Sequence, residues 1–156
     1  MKKYFVIYFA TAFIFSNSIC HACPTLKGAY PNCVNSNGDG SAGITIAQST
    51  HVSSEGYWTE YDITVVNDPK TPSMDWKKQI LTNGKSYKLP NDPSFNGITD
   101  ISYTARCHGG NLVIDEEAKV VQMDGTLKQE KSHQLWFKDD GALNVEYDNG
   151  DAAQCR

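Results

Sequence analysis

The sequence predicts an all-β domain: an antiparallel up-and-down meander closed as a barrel of about eight strands, with a two-sheet β-sandwich as the alternative. Three observations predict it. Turn signals recur along the chain, at Asn37-Gly38-Asp39-Gly40, Asn83-Gly84, Asn96-Gly97, Gly109-Gly110, Asp124-Gly125, Asp139-Asp140-Gly141 and Asn149-Gly150, and Gly and Asn tolerate the positive φ that tight hairpins need. The segments between them alternate apolar and polar side chains. No ten-residue stretch after Cys23 reads as an amphipathic helix.

The chain opens with Lys2 and Lys3, an uncharged run from Tyr4 to Phe15, and a short polar stretch ending in Ala22. This is the layout of a secretory signal peptide, and the run is too short to span a ~30 Å hydrocarbon core as a helix. Residues 1–22 are therefore expected to be cleaved, leaving residues 23–156 as a single domain large enough to bury a core. A cysteine directly after the cut also admits a lipid anchor, but Cys20 stands where lipoproteins usually carry Leu, so an unlipidated Cys23 is preferred. The expected location is the periplasm or the medium, with no transmembrane segment.

Within the domain, Tyr57–Val66 sets Tyr57, Thr59, Tyr61, Ile63 and Val65 on one face. Thr99–Cys107 does the same with Ile101, Tyr103, Ala105 and Cys107. Further strands are expected over Gly43–Thr50, Trp76–Thr82, Lys85–Leu89, Asn111–Asp115, Lys119–Met123, Thr126–Glu130, His133–Lys138 and Ala142–Tyr147. Sequential hairpins of this spacing are most simply closed as an up-and-down barrel. Asn67–Asp75 and Leu89–Asn96, each with two prolines, are the long connections, where binding functions tend to sit.

Loss of residues 1–22 removes Cys20 and leaves Cys23, Cys33, Cys107 and Cys155. Four cysteines in an oxidising compartment imply two disulfides, for which three pairings exist. Cys23–Cys33 with Cys107–Cys155 is the expected set, the first closing a short loop and the second tying the chain's end to its middle. Of 14 Lys+Arg, two leave with the signal and no acid does, so 12 remain against 18 Asp+Glu, a formal charge of about −6. That balance, without a basic run, disfavours nucleic acid as a partner.

No catalytic signature stands out, so a binding protein rather than an enzyme is expected, with no cofactor and no metal. The stretch Asn35-Ser36-Asn37-Gly38-Asp39-Gly40 has the alternating oxygens of a calcium loop but Asn in first place and Ile46 in twelfth, where a bidentate Glu belongs. His51, His108 and His133 have no ligand at metal spacing. His108-Gly109-Gly110 lacks an accompanying nucleophile elbow. Asp115-Glu116-Glu117 reads as a solvated turn, in which adjacent acids cannot face each other across a substrate. The aromatic residues are more informative. Tyr57, Tyr61, Tyr103, Leu135 and Phe137 fall on inward faces and are the candidate ligand-binding lining, with the filling of a solid core as the other reading. Trp58 and Trp136 fall on the opposite faces, beside Glu60 and Lys138, as a candidate interaction surface.

Cys23-Pro24-Thr25-Leu26-Lys27-Gly28-Ala29-Tyr30 is similar to the start of small exported bacterial proteins of the lipocalin or calycin type, in which Gly-x-Trp leads into the first strand and the aromatic closes the barrel floor. Here Tyr30 replaces Trp, and no Thr-Asp-Tyr motif follows. The resemblance implies a barrel that holds a small, partly apolar or amphipathic molecule, and carries over no ligand residues. The rival reading is a protein-interaction module, such as an inhibitor of a secreted hydrolase, acting through the two long connections and exposed tryptophans.

Overall fold

The structure is a computed structural model that describes residues 22–38, 40, 42–54, 56–66, 76–89 and 97–156. Residues 1–21 of the expected leader, and the connections 67–75 and 90–96, lie outside the described residues. Ten strands are present: β1 (Gly28–Asn35), β2 (Ala42–Ser53), β3 (Gly56–Val66), β4 (Trp76–Leu81), β5 (Ser86–Lys88), β6 (Ile98–His108), β7 (Asn111–Val121), β8 (Leu127–Asp139), β9 (Ala142–Tyr147) and β10 (Ala152–Cys155).

They form one antiparallel sheet in the order β4-β3-β2-β1-β10-β9-β8-β7-β6-β5. Every pair is consecutive in sequence except β1 with β10, so the first and last strands close the meander on themselves. The sheet's two ends, β4 and β5, follow each other through residues 82–85. The end of β4 and this connection are tied to β6, the neighbour of β5, by the Leu81 N–H donating to the Tyr103 hydroxyl (3.1 Å) and Gly84 N–H to the Ala105 carbonyl (3.0 Å). The result is a curled, barrel-like sheet of ten strands rather than about eight. The two additional strands are β1 and β10, which pair with each other, a closure that local patterning does not display. The candidates at 111–123 and at 126–138 are each one continuous strand, β7 and β8; in β7 Asp115-Glu116-Glu117 alternates across the sheet instead of turning.

The core is the inner face. Ile44 and Ile46 (β2), Tyr61 and Ile63 (β3), Ile80 (β4), Tyr103 and Ala105 (β6), Leu112 and Ile114 (β7), Trp136 (β8) and Val145 (β9) are buried together. Burial of each large apolar side chain stabilises the sheet by roughly 1.5–3 kcal/mol. The period-2 readings of β3 and β6 hold from Thr59 to Ile63 and over Tyr103 and Ala105. That of β8 is reversed: Gln134 and Trp136 are buried, while Leu135 and Phe137 are half-buried on the outer face. Leu135 there lies opposite Val113, itself buried, so this part of the outer face is apolar as well.

The disulfides are Cys23–Cys107 and Cys33–Cys155, not the expected pairs. Cys33 and Cys155 are cross-strand partners in the β1–β10 ladder. Asn32 and Arg156, next to them, exchange both backbone hydrogen bonds (3.1 and 3.0 Å). That leaves Cys33 and Cys155 at a non-hydrogen-bonded position, where strands approach most closely, and their Cα atoms are 3.9 Å apart. Sequence proximity favoured the short loop, whereas barrel closure sets the pairing. On the loop-entropy account, bridges separated by 84 and 122 residues would each contribute about 4–5 kcal/mol taken singly, a model-dependent upper figure.

The stretch 23–27 fills one end of the barrel. The Tyr61 hydroxyl donates to the Pro24 carbonyl (2.7 Å), which also accepts from Gln48 Nε2 (3.1 Å), and Gln48 Oε1 accepts from Leu26 N–H (2.9 Å). The Tyr30 hydroxyl donates to the Leu26 carbonyl (2.8 Å), so the Tyr of Gly-x-Tyr is buried against the same segment. Cys23–Cys107 fixes it to the end of β6.

Candidate functional site

At the other end, where β1 and β3 finish and β4 begins, the barrel contains a cavity of about 560 Å³. Trp76, Trp136 and Tyr147 provide its aromatic surface, and Glu116, Ser132 and Gln134 its polar surface. Alternation places them: Trp76, Lys78 and Ile80 share the inner face of β4, and Leu112, Ile114 and Glu116 that of β7. Gly40 also lines the cavity. Its φ is +147°, and a Cβ there would lie 2.5 Å from the Cys33 carbonyl oxygen, so only glycine lets the β1–β2 connection pass this close to β1.

The polar groups form a connected set. Gln134 Nε2 donates to Glu116 Oε2 (2.8 Å) and to Ser132 Oγ (3.3 Å), and Gln134 Oε1 accepts from Trp136 Nε1 (3.0 Å). With its oxygen already accepting, Ser132 keeps its own O–H to donate. Glu116 is ion-paired with Lys78, whose residue is only 4 % exposed. The Lys78 ammonium lies 5.4 Å from the Trp76 ring centroid and 5.9 Å from that of Tyr103, within cation–π range. Burial pushes the Lys78 ammonium down from its ordinary value to about 7, because desolvation disfavours the charged form; the Glu116 carboxylate opposes that by favouring the proton.

A second cavity, of about 550 Å³, lies along the β4–β5 gap, lined by Ile63, Lys78, Leu81, Tyr87, Leu89 and Tyr103. Lys78 thus lines one cavity and touches, through Glu116, the wall of the other.

No protein family, curated protein or solved structure matches this chain.

The expected lining residues are dispersed. Tyr61 is fully buried, with its hydroxyl committed to Pro24, and belongs to the filled end. Tyr103 is buried and lines the second cavity, where it stacks on Tyr87 (5.6 Å). Tyr57 is 53 % exposed at the tip of the β2–β3 hairpin, and Leu135 and Phe137 face outward. Of the two tryptophans expected outside, Trp136 is inside. Trp58 is half-buried and stacks on His51 (5.5 Å), which pairs with Glu60 (2.8 Å). Sequence reading missed Trp76, Lys78, Glu116, Ser132, Gln134, Trp136 and Tyr147. The signal for two of them was present: Lys78 interrupts an apolar face, and Glu116 continues one.

The acids beside Glu116 face outward. Asp115 pairs with Arg106 (2.5 Å) and His133 (2.6 Å), and Glu117 with Lys131 (2.5 Å). Partial burial pushes the Asp115 carboxyl up, and hydrogen bonds from His133 and Arg106 more than reverse it, holding it below the usual carboxylate range.

Proposed function

We propose that this is an exported, lipocalin-like binding protein that holds a small, partly apolar molecule inside its barrel without transforming it. The observation that carries the reading is the cavity between Trp76, Trp136 and Tyr147. Its volume lies within the ~300–1,000 Å³ common for small-molecule sites. It combines aromatic walls with a few polar groups that converge at Ser132, Gln134 and Glu116. Such a lining suits a molecule with an apolar body and one acceptor, which the Ser132 O–H would meet. Two disulfides, and the absence of a membrane-crossing helix among the described residues, are compatible with a protein delivered to the periplasm or the medium.

The test uses the two tryptophans of the cavity. An uncharged phenylnaphthylamine probe should bind with one-to-one stoichiometry and quench tryptophan emission by energy transfer. Ala153 also lines the cavity, and Ala153→Trp should weaken the probe at least about tenfold, roughly 1.4 kcal/mol. Absence of saturable binding, in a protein whose near-ultraviolet circular dichroism shows a packed fold, would retire the reading. The interaction-module reading then leads. It is supported by Val52, 80 % exposed, opposite Tyr57 at the β2–β3 tip. Replacing both by Ser should leave probe binding unchanged if the cavity is the site.

A further inference from the structure

We infer that Lys78 is a covalent capture site: its amine forms a reversible imine with an aldehyde or ketone on the bound molecule, with Glu116 as the proton shuttle. The inference rests on the binding reading above and names the chemical class of ligand.

The geometry supplies each part. Among the described residues Lys78 is the lysine buried in the core, on the inner face of β4. Its Nζ meets the Glu116 carboxylate, and Glu116 lines the cavity that the aromatic residues wall. The second cavity is lined by Lys78 itself, so the amine stands between two spaces, each large enough for a small organic molecule. Glu116 is held from its far side by Gln134 Nε2 at 2.8 Å, and keeps its place while the lysine side chain swings. The charged and titratable groups facing the amine are Glu116 and Tyr103; Trp76 and Tyr103 present ring faces to it.

The chemistry needs a neutral amine, and burial favours one. Burial pushes the ammonium down to about 7, so the neutral amine is far more accessible near pH 7 than at an exposed lysine of ordinary basicity. Desolvated lysines are the usual Schiff-base nucleophiles for this reason. The Lys78 ammonium first passes a proton to the Glu116 carboxylate with which it is paired, and the freed nitrogen lone pair adds to the carbonyl carbon. The carbonyl π electrons pass to oxygen, which takes that proton from the Glu116 carboxyl, while the ammonium of the adduct returns one to Glu116. The resulting carbinolamine loses its hydroxyl, protonated by Glu116, as water, and the nitrogen–carbon double bond forms as a protonated imine paired with the Glu116 carboxylate. One carbonyl and one ammonium give one protonated imine and one water, with no change of oxidation state, and hydrolysis reverses every step.

The test treats the full exported protein with naphthaldehyde and sodium cyanoborohydride at pH 7. Naphthalenemethanol, which has the same ring and no carbonyl, serves as the control ligand. One equivalent should add rapidly, raising the intact mass by that of the aldehyde less one oxygen atom, and tryptic mapping should place it on Lys78. Lys78→Arg, which keeps the charge opposite Glu116 and has no amine to condense, should reduce labelling to the slow background of exposed lysines. Where Lys78→Arg fails to fold, site mapping on the parent protein decides. Displacement of the phenylnaphthylamine probe by naphthalenemethanol, without labelling at Lys78, would overturn the imine and leave the binding reading standing. Failure of both compounds to displace the probe, with no labelling at Lys78, would overturn the imine as well. Absence of probe binding altogether would remove the reading on which the inference rests.

Discussion

The two ends of this barrel are made from the same strands and differ in what enters them. At one end, residues 23–27 lie against Tyr61, Tyr30 and Gln48, and Cys23–Cys107 holds them there. At the other, a cavity of about 560 Å³ lies between Trp76, Trp136 and Tyr147. Polar chemistry follows the same division. Where the chain's own segment fills the lumen, tyrosine hydroxyls and Gln48 pair with its backbone, and no charged side chain among the described residues is buried there. Around the cavity at the other end, Lys78, Glu116 and Gln134 pair with one another across the inside of β4, β7 and β8. A large side chain at the filled end is structural, because its partners are fixed. One at the hollow end borders space, and its role is open to a ligand.

The sharpest way to break this comparison is to truncate one aromatic residue at each end. Tyr61→Ala removes a fully buried ring from the filled end and should cost about 3–5 kcal/mol in denaturant unfolding, as large-to-small aromatic changes in packed cores do. Trp76→Ala enlarges an existing cavity and should cost less than about 2 kcal/mol, since fewer close contacts are lost. Equal losses would mean that the two ends are packed alike.

How much of this was legible in the sequence follows from the same contrast. β3 and β6 could be read because Thr59-Tyr61-Ile63 and Tyr103-Ala105 each oppose polar neighbours. β8 could not: Leu135 and Phe137 face out and Trp136 faces in, so apolarity marks both faces, while the buried polar Gln134 points the wrong way. The disulfides depend on β1 meeting β10, a contact between the chain's ends that no local pattern records. The acid run was judged by its composition, which favours a turn. Its place after Leu112 and Ile114 was the better guide, and it puts Glu116 in the lumen and its two neighbours outside. Sequence patterning therefore found the filled end's tyrosine and overlooked the hollow end, whose polar side chains on inner faces run against the rule that located the rest.

Titration sharpens the comparison next, because each end carries groups of its own. Lys78 belongs to the hollow end, and its folded-state value is lowered from 10.5 to about 7. Between those values the unfolded chain binds the proton and the folded protein does not, so stability rises with pH from about 7 toward 10 and is lost as pH falls back through 7. The shift corresponds to on the order of 5 kcal/mol. Burial pushes the Tyr61 phenol up, with the nearby Tyr57 adding to the shift, and burial likewise raises Tyr103 and Tyr147. These groups keep their protons in the folded state after the unfolded chain has begun to lose them, so their stabilisation is present below pH 10 and is lost as pH climbs beyond it. Urea unfolding should therefore show greatest stability near pH 9–10. Lys78→Met should abolish the rise between 7 and 10 and retain the fall above it. A flat parent profile over that interval would place a permanently charged ammonium in the lumen.

The smallest effect probes the filled end by a single atom. Tyr61→Phe keeps the ring in the core and removes only the hydroxyl that donates to Pro24 at 2.7 Å. The Pro24 carbonyl retains the hydrogen bond from Gln48 Nε2, so no buried acceptor is orphaned. The expected cost is therefore that of one net hydrogen bond, about 0.5–1.5 kcal/mol, and not the larger penalty of an unsatisfied buried group. Probe binding at the opposite end should not change. Removing Gln48 as well, as Gln48→Leu in the Tyr61→Phe background, strips the carbonyl of both donors and leaves Leu26 N–H without its acceptor. The double variant should then lose more than the two single changes added together, because only the combined change leaves the Pro24 carbonyl without any donor. Strict additivity would mean that residues 23–27 leave the barrel once either contact is gone, and that Cys23–Cys107 alone keeps the segment near its place.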